Sequence, residues 1–417
     1  MLLTINAGSS SLKYAGFTLS AIKTALQATP ATSIIPPGPL LTATSDANTL
    51  RGQVTDFPPT SDNADAMRGA VDSLLSSLPA STPLAGVVHR VVHGGPSGVG
   101  PVTLDDHWMG EISKAALHAP LHNPPALAGI AAAMEATGPS VPHVAVFDTS
   151  VHTAGMDPKA YTLPLPPHHR ENGVRKYGFH GSSHPYVASL AAHYLNIPLE
   201  KARIVTAHLG SGASLAVFQD GKVLDTTMGY SPTGGIVMGS RPGDLDPGVV
   251  LAMARKVVEQ GGGPDGMGTD DMLAELNRVL NRESGLYGLA GTSNMKTILE
   301  QAHDGSEEAQ IARDVFVHSL TKSIHGLAGL LRDTPHALVF TGGIGEASAE
   351  IRARVCDTNP SFPIWPSLNN DCQVSSSDRI YNISNPHLDS TSSPSVFVVA
   401  TDEEAFMAAS AVTSRLI

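Results

Sequence analysis

Apolar positions along this chain follow two rhythms. Short continuous runs at Leu2–Ile5, Leu84–Val92, Val141–Phe147, Ile204–Ala207, Ala213–Phe218, Ala337–Phe340 and Val396–Ala400 read as buried strands. Between them, apolar residues recur at helical spacing. In Ala64–Leu78, Met67, Val71, Leu74, Leu75 and Leu78 share one face. His184–Leu195, Pro247–Gln260 and Glu403–Arg415 are predicted helices as well. A long helix from Glu307 to Arg332 is expected to turn Ile311, Val315, Leu320, Ile324, Leu327 and Leu331 inward. Residues 28–62, rich in Pro, Ser, Thr and Ala, read as strand edges joined by long loops, and the Ser/Asn/Pro-rich 357–395 as irregular. Strands and helices alternate throughout, so the class is α/β.

Two stretches share one layout. LLTINAGSSSLKYAGFTL reads as strand, Gly8-Ser9-Ser10-Ser11 turn, strand. Ile204–Phe218 reads as strand, Gly210-Ser211-Gly212 turn, strand, followed by an Asp220-Gly221 hairpin and the strand Lys222–Thr226. Such turns expose backbone N–H groups and small hydroxyls, which suits a phosphate. The repeated unit predicts two domains and phosphoryl transfer between them. A third glycine loop, Thr341–Glu346, lies between a strand and a helix predicted from Ala347, where a nucleotide can approach the backbone.

Charge narrows the partners. Asp and Glu number 38 against 26 Lys and Arg, a formal net charge of −12. No basic field exists to recruit nucleic acid or a membrane surface. Aromatic residues are only 5%, too few for base-stacking platforms. Cys356 and Cys372 form no disulfide framework and no metal spacing. The N-terminus enters a strand at once, and no apolar run reaches the roughly 18 residues of a membrane span. A soluble cytoplasmic protein is expected.

Candidate chemistry sits at strand ends and turns. Arg90 lies inside an apolar strand and Arg241 between two turns; a buried arginine needs an anion, either an internal aspartate such as Asp244 or Asp246, or a ligand. Three of the histidines stand out: His122 in APLHNPPAL, His180 before a glycine turn, and His208 just before the second phosphate turn. Asn6, Asp148 and Glu403 are oxygen donors at strand ends and suit Mg²⁺, although Asp402 or Glu403 would serve equally as a helix cap.

With NAGSSSLKY, HRVVHGG, APLHNPPAL, VFDTSVH, RKYGFHGSSH, HLGSGAS, DTTMGYSP, MGSRPGDLDP, ESGLYGLAGTS, FTGGIGE and TDEE in order across the chain, the sequence resembles the acetate kinases. These are short-chain carboxylate kinases of the superfamily of actin, sugar kinases and heat-shock chaperones. The resemblance implies two actin-like (ribonuclease H-like) domains with mixed sheets flanked by helices and an active site in the cleft between them. The expected domains are 1–150 with 404–417, and 151–403. It implies a homodimer, with acetate and ATP as substrates and Mg²⁺ or Mn²⁺ as cofactor.

By the same resemblance, Arg90 and Arg241 bind the carboxylate and phosphoryl groups, and His180 stabilises the transition state. His122 and Asp148 line the active site, and Asn6, Asp148 and Glu403 surround the metal. Val92, Leu121, Phe179 and Pro232 enclose the substrate methyl, which favours acetate over longer acids. Nucleotide and phosphate contacts fall to Ser11, Lys13, His208, Gly210, Ser211, Gly212, Asn294, Met295, Lys296, Gly342, Gly343, Ile344 and Gly345. The chain departs from the family pattern at Ser211, Gly234, Ser293-Asn294-Met295-Lys296 and Ala347. Weak discrimination among nucleotide bases is expected from this, and Gly342-Gly343 favours ATP over pyrophosphate. Propionate or butyrate kinases and a pyrophosphate-dependent enzyme are the near alternatives. A sugar kinase would have little use for both Arg90 and Arg241, and an actin-like nucleotide switch would need no acyl pocket.

Overall fold

The computed structural model describes residues 1–7, 12–28, 35–36, 41, 44, 48–54, 63–78, 83–120, 122–260, 268–357, 379–384 and 394–417. Backbone contacts divide the chain into two units. The first comprises 1–204, 217–225 and 401–417; the second comprises 205–216 and 226–400.

The first six strands form one sheet: β1 (Leu2–Ala7), β2 (Leu12–Phe17), β3 (Asn48–Val54), β4 (Gly86–Val91), β5 (Val102–Thr103) and β6 (His143–Phe147), in the order β3-β2-β1-β4-β6-β5. β1 and β2 are antiparallel, whereas β1, β4 and β6 are mutually parallel. All six residues of β1 are buried, and so is all of β6. This explains why both read as unbroken apolar runs: parallel strands are covered on both faces.

The second sheet contains β7 (Ile204–Leu209), β8 (Ala213–Gln219), β9 (Lys222–Thr226), β10 (Ala337–Thr341), β11 (Ile380–Asn382) and β12 (Ser395–Val399). Its order is β11-β12-β10-β7-β8-β9. Numbered within its own sheet, each reads 3-2-1-4-6-5. The short edge strand is antiparallel to its neighbour in both, β5 on β6 and β11 on β12. The repeat expected from the phosphate hairpins therefore extends to whole sheets.

Helices cover the sheets. α1 (Asn63–Ser77) packs on α2 (Asn123–Thr137) at close range. A Cβ at Gly129 would lie 3.2 Å from Met67, so glycine and the neighbouring alanines of α2 admit the larger side chains of α1. The short α3 (Ser150–Gly155) follows β6, and α4 (His184–Tyr194) is buried along most of its length. The second unit contributes α5 (Pro247–Gln260), α6 (Met295–His303), α7 (Glu307–Ala328), α8 (Gly342–Ala347) and α9 (Ala349–Asp357). The last helix, α10 (Glu403–Thr413), packs on β1, β2, β4 and β6.

Two expectations are corrected. α7 buries Ala309, Ala312, Phe316, Leu320, Ile324 and Leu327, while Ile311 is 55% exposed and Val315 faces out as well. Alanines carry the inward stripe through its first turns, so following the larger residues set the phase one position wrong. The helix also stops at Ala328, with Gly329 as its C-cap, short of Arg332. The expected glycine loop at Thr341–Glu346 is instead the start of α8. Gly342, at φ +75°, turns the chain from β10 directly into that helix, where any Cβ would press on the backbone of Leu209. Among the described residues no helix is long and apolar enough to cross a membrane.

Candidate active site

Parallel strands deliver their C-terminal ends to one place. In the first unit Ile5 pairs with His89 and Arg90 with Val146, so Asn6, Arg90 and Asp148 emerge side by side from β1, β4 and β6. Asp148 N–H donates to the Val91 carbonyl at 3.0 Å and fixes that edge. Crevices outside the carboxyl ends of such strands are where α/β sheets bind ligands.

Arg90 organises the cluster. Its Nε lies 3.1 Å from each carboxylate oxygen of Asp148, and one terminal nitrogen lies 2.6 Å from Oδ2. The other terminal nitrogen donates to Asn6 Oδ1 at 3.0 Å and lies 3.1 Å from Glu403. The Asn6 amide nitrogen donates to Glu403 and to Glu404, each at 3.1 Å. Ser182 Oγ donates to Asp148 at 3.3 Å. Burial works against the charge on Arg90, but the carboxylates of Asp148 and Glu403 overcome it and hold its pKa above the ordinary value. Burial raises the pKa of Asp148, with Arg90 opposing, and raises that of Glu404, with Glu403 and Asp402 adding to the effect. The partners of Arg90 are thus Asp148 and Glu403, not Asp244 or Asp246. Those two turn to the backbone instead, at Gly235 N and Gly248 N.

Three participants were not foreseen. Glu404 shares the Asn6 amide with Glu403. Arg51 of β3 donates to Asp402 at 2.7 Å, while Asp402 also caps α10 by accepting from Ala405 N at 3.0 Å. The capping reading of Asp402 is therefore correct, and Glu403 is released for the cluster. Buried Asn123 spans the turn after β4: its Oδ1 accepts from His93 N at 3.1 Å and its Nδ2 donates to the His93 carbonyl at 2.9 Å. It holds Val92 and His93 in place. The one visible hint was its position after His122, which stands at the N-cap of α2 without a side-chain cap bond.

Half-buried Val92 and buried Phe179 belong to this first unit, and the His93 ring lies 5.8 Å from that of Phe179. His180 sits at φ +56°. Lys13 is exposed and faces Asn6 across the β1–β2 ladder. Ser11, the rest of the first phosphate turn, and Leu121 lie outside the described residues.

The second unit carries the remaining positions. His208, half-buried, ends β7; Gly210 N–H then donates to Gly212 O at 3.1 Å, and Ser211 O accepts from Gly239 N at 3.0 Å. Arg241 donates to the Pro232 carbonyl at 3.1 Å, so these two predicted residues meet. Burial lowers the Arg241 pKa. Asn294 caps α6, accepting from Lys296 N at 3.0 Å and Thr297 N at 3.4 Å; Met295 is buried and Lys296 exposed. In α8, Gly343 is exposed with open space where a Cβ would stand; Ile344 is half-buried and Gly345 buried. Glu346 folds back to accept from Gly342 N at 2.9 Å. Fully buried Arg352 of α9 holds the Gly345 and Glu346 carbonyls at 2.9 and 3.0 Å.

The three oxygen donors expected for a magnesium ion lie together in this cluster, where Arg90 occupies them. Asn6, Asp148 and Glu403 are hard oxygen donors converging on the Arg90 guanidinium. Among the described residues no three His, Cys, Asp or Glu side chains form a metal-ligand group.

The chain is similar to known proteins over nearly its whole length. An acetate kinase of Kocuria rhizophila is 38% identical over 415 residues, covering 97% of this chain and 96% of that protein. A propionate kinase structure from Francisella tularensis superposes with a TM-score of 0.78 at 28% identity, covering 98% of each chain. The Porphyromonas gingivalis acetate kinase structure gives 0.76 at 28% identity, covering 100% of this chain and 99% of that one. The model of the Acetokinase family matches residues 1–409, and the chain belongs to that family.

Proposed function

We propose that this chain transfers the γ-phosphoryl group of ATP to acetate, reversibly and by direct in-line displacement, giving acetyl phosphate and ADP. The observation that carries the reading is Arg90. A guanidinium held by two acids and an amide at parallel strand ends is rigid, which supports a role in binding an anionic substrate.

The reaction needs no general base. An ordinary carboxyl has a pKa of about 4.3, so acetate is already an anion at neutral pH. The obstacle is repulsion between that anion and the phosphate oxygens. Arg90 orients the carboxylate oxygen toward phosphorus, and Arg241 and His180 offset charge on the transferring group. His122 lines the same site. Val92, Phe179, Leu121 and Pro232 are the residues assigned to the substrate methyl. Asn6, Asp148 and Glu403 would hold Mg²⁺ or Mn²⁺, which would neutralise phosphate charge there. The backbone of Gly210-Ser211-Gly212 with His208, and the α8 segment Gly342–Gly345, receive the nucleotide; Ser11 and Lys13 serve the phosphates. Asn294, Met295 and Lys296 stand on the adenine side. The reading includes a cytoplasmic homodimer, with the exposed apolar side chains Leu251, Leu273 and Ile311 of the second unit as candidate contact positions.

The test is trapping of the acyl phosphate by hydroxylamine, with acetate, propionate and butyrate each offered alongside ATP or pyrophosphate. The expected result is hydroxamate from acetate and ATP at the highest kcat/KM. Turnover that prefers a longer acid or pyrophosphate would overturn the assignment, as would its independence of divalent metal.

A further inference from the structure

His180 carries a strained backbone, and the means of holding it are visible. Among the described residues four non-glycine residues have positive φ: His180, Asn196, Asp220 and Arg415. Asn196 and Arg415 follow helix ends, and Asp220 sits in a hairpin before Gly221, all places where this conformation recurs. His180 has no such excuse, and strain of this kind gathers at functional sites.

The peptide planes on both sides of the His180 Cα are pinned. On the C-terminal side, the His180 carbonyl accepts from Ser183 N and His184 N, each at 3.0 Å. The next residue is Gly181, where a Cβ would collide with the Asp148 carbonyl. On the N-terminal side, the Phe179 carbonyl lies 2.8 Å from His152 Nε2. A carbonyl only accepts, so His152 is the donor and is fixed as its Nε2–H tautomer. His152 is wholly buried, its ring lies 6.1 Å from that of His184, and His184 lies 6.1 Å from His180. Its other nitrogen, Nδ1, is buried without a hydrogen-bond partner among the described residues. An apolar side chain would avoid that cost, so packing alone does not account for a histidine here.

We infer that His152 is a positioning residue for the phosphoryl transfer: by holding the Phe179 carbonyl it sets the backbone torsion that aims the His180 imidazole and seats the Phe179 ring. The inference rests on the role given to His180 above. His152 touches no substrate; it acts through the residues it holds. Its ring being neutral is consistent with this, since burial lowers its pKa to about 4.

The test compares two polar replacements of similar burial. In His152→Gln the terminal amide nitrogen reaches where Nε2 stood; in His152→Asn it stops short. The expected result is that His152→Asn lowers kcat by about 10²-fold while KM for acetate and ATP stays within about threefold, and that His152→Gln recovers most of the loss. In a His180→Ala background, His152→Asn should cost less than about threefold more, because its effect passes through His180. Equal loss in the Asn and Gln variants would overturn the inference, as would a loss that persists undiminished without His180. Wild-type turnover by His180→Ala alone would instead overturn the role of His180, and the inference with it.

Discussion

Arg90 meets Asp148 through two nitrogens, its terminal nitrogen at 2.6 Å from Oδ2 and its Nε at 3.1 Å from both oxygens. The arginine side chain is 17% exposed and the aspartate 2%. The pair is almost dry, so its geometry is fixed before any substrate arrives. If this clamp serves the proposed reaction, its contributions to rate and to stability separate by mutation.

Arg90→Ala should lower kcat by about 10²–10³, the usual effect of losing a preorganised charge at the reacting centre. It should also destabilise the fold by roughly 3–5 kcal/mol, because Asp148 is left buried without its cation. Arg90→Lys should recover part of the stability and little of the rate, since an ammonium cannot bridge Asp148, Asn6 and Glu403 together. Arg241→Ala should match the rate loss alone. Initial rates in both directions and thermal unfolding midpoints check this; normal turnover in both alanine variants would refute the clamp.

Gly343 faces open space, so a long side chain fits without disturbing the fold. Gly343→Gln should raise KM for ATP by about tenfold or more, equivalent to roughly 1.4 kcal/mol, with KM for acetate unchanged. Gly342→Ala should behave differently and lose stability, because φ is +75° and the Leu209 backbone is in contact. Equal effects of Gly343→Gln on both KM values would show that α8 does not serve the nucleotide.

Val92→Ala should shift preference from acetate toward propionate. One methylene in a fitted pocket is worth roughly 1–3 kcal/mol, or about 10–200-fold in relative kcat/KM. A ratio that does not move would place the acyl methyl elsewhere.

Acid should destabilise the protein through histidines buried in neutral form. Burial lowers the pKa of His143 to about 4, and burial together with His118 lowers that of His93 to about 3. These pKa values are depressed below the ordinary 6.5, so the contribution is full above that value. It is lost as pH falls from 6.5 through 4 for His143 and toward 3 for His93. Denaturant unfolding at a series of pH values should show this decline, and His143→Asn should flatten its upper part. An unchanged acid limb in that variant would refute the assignment.

Much of this was legible because it is local. The run at Leu2–Ile5 lies within β1, and Asp220-Gly221 forms the expected turn with both residues at positive φ. The rest was hidden because it is long-range or small. Nothing near Arg51 announces Asp402, which lies 351 residues away. Nothing near Asn123 announces the turn after β4 that it braces. The phase of α7 depended on alanines, which carry too little hydrophobic signal to outvote Ile311 and Val315. The buried histidines were indistinguishable from surface ones, since one imidazole in a sequence looks like another until its carbonyl partner is known.

The shared strand order has a practical side. In both sheets the tips of the first, fourth and sixth strands lead into positions proposed for the site or next to it: Asn6, Arg90 and Asp148 in one, His208, Gly342 and Asp402-Glu403 in the other. Each half is therefore a chassis with the same three mounting points and different fittings. Substitutions aimed at new acceptors belong at those tips.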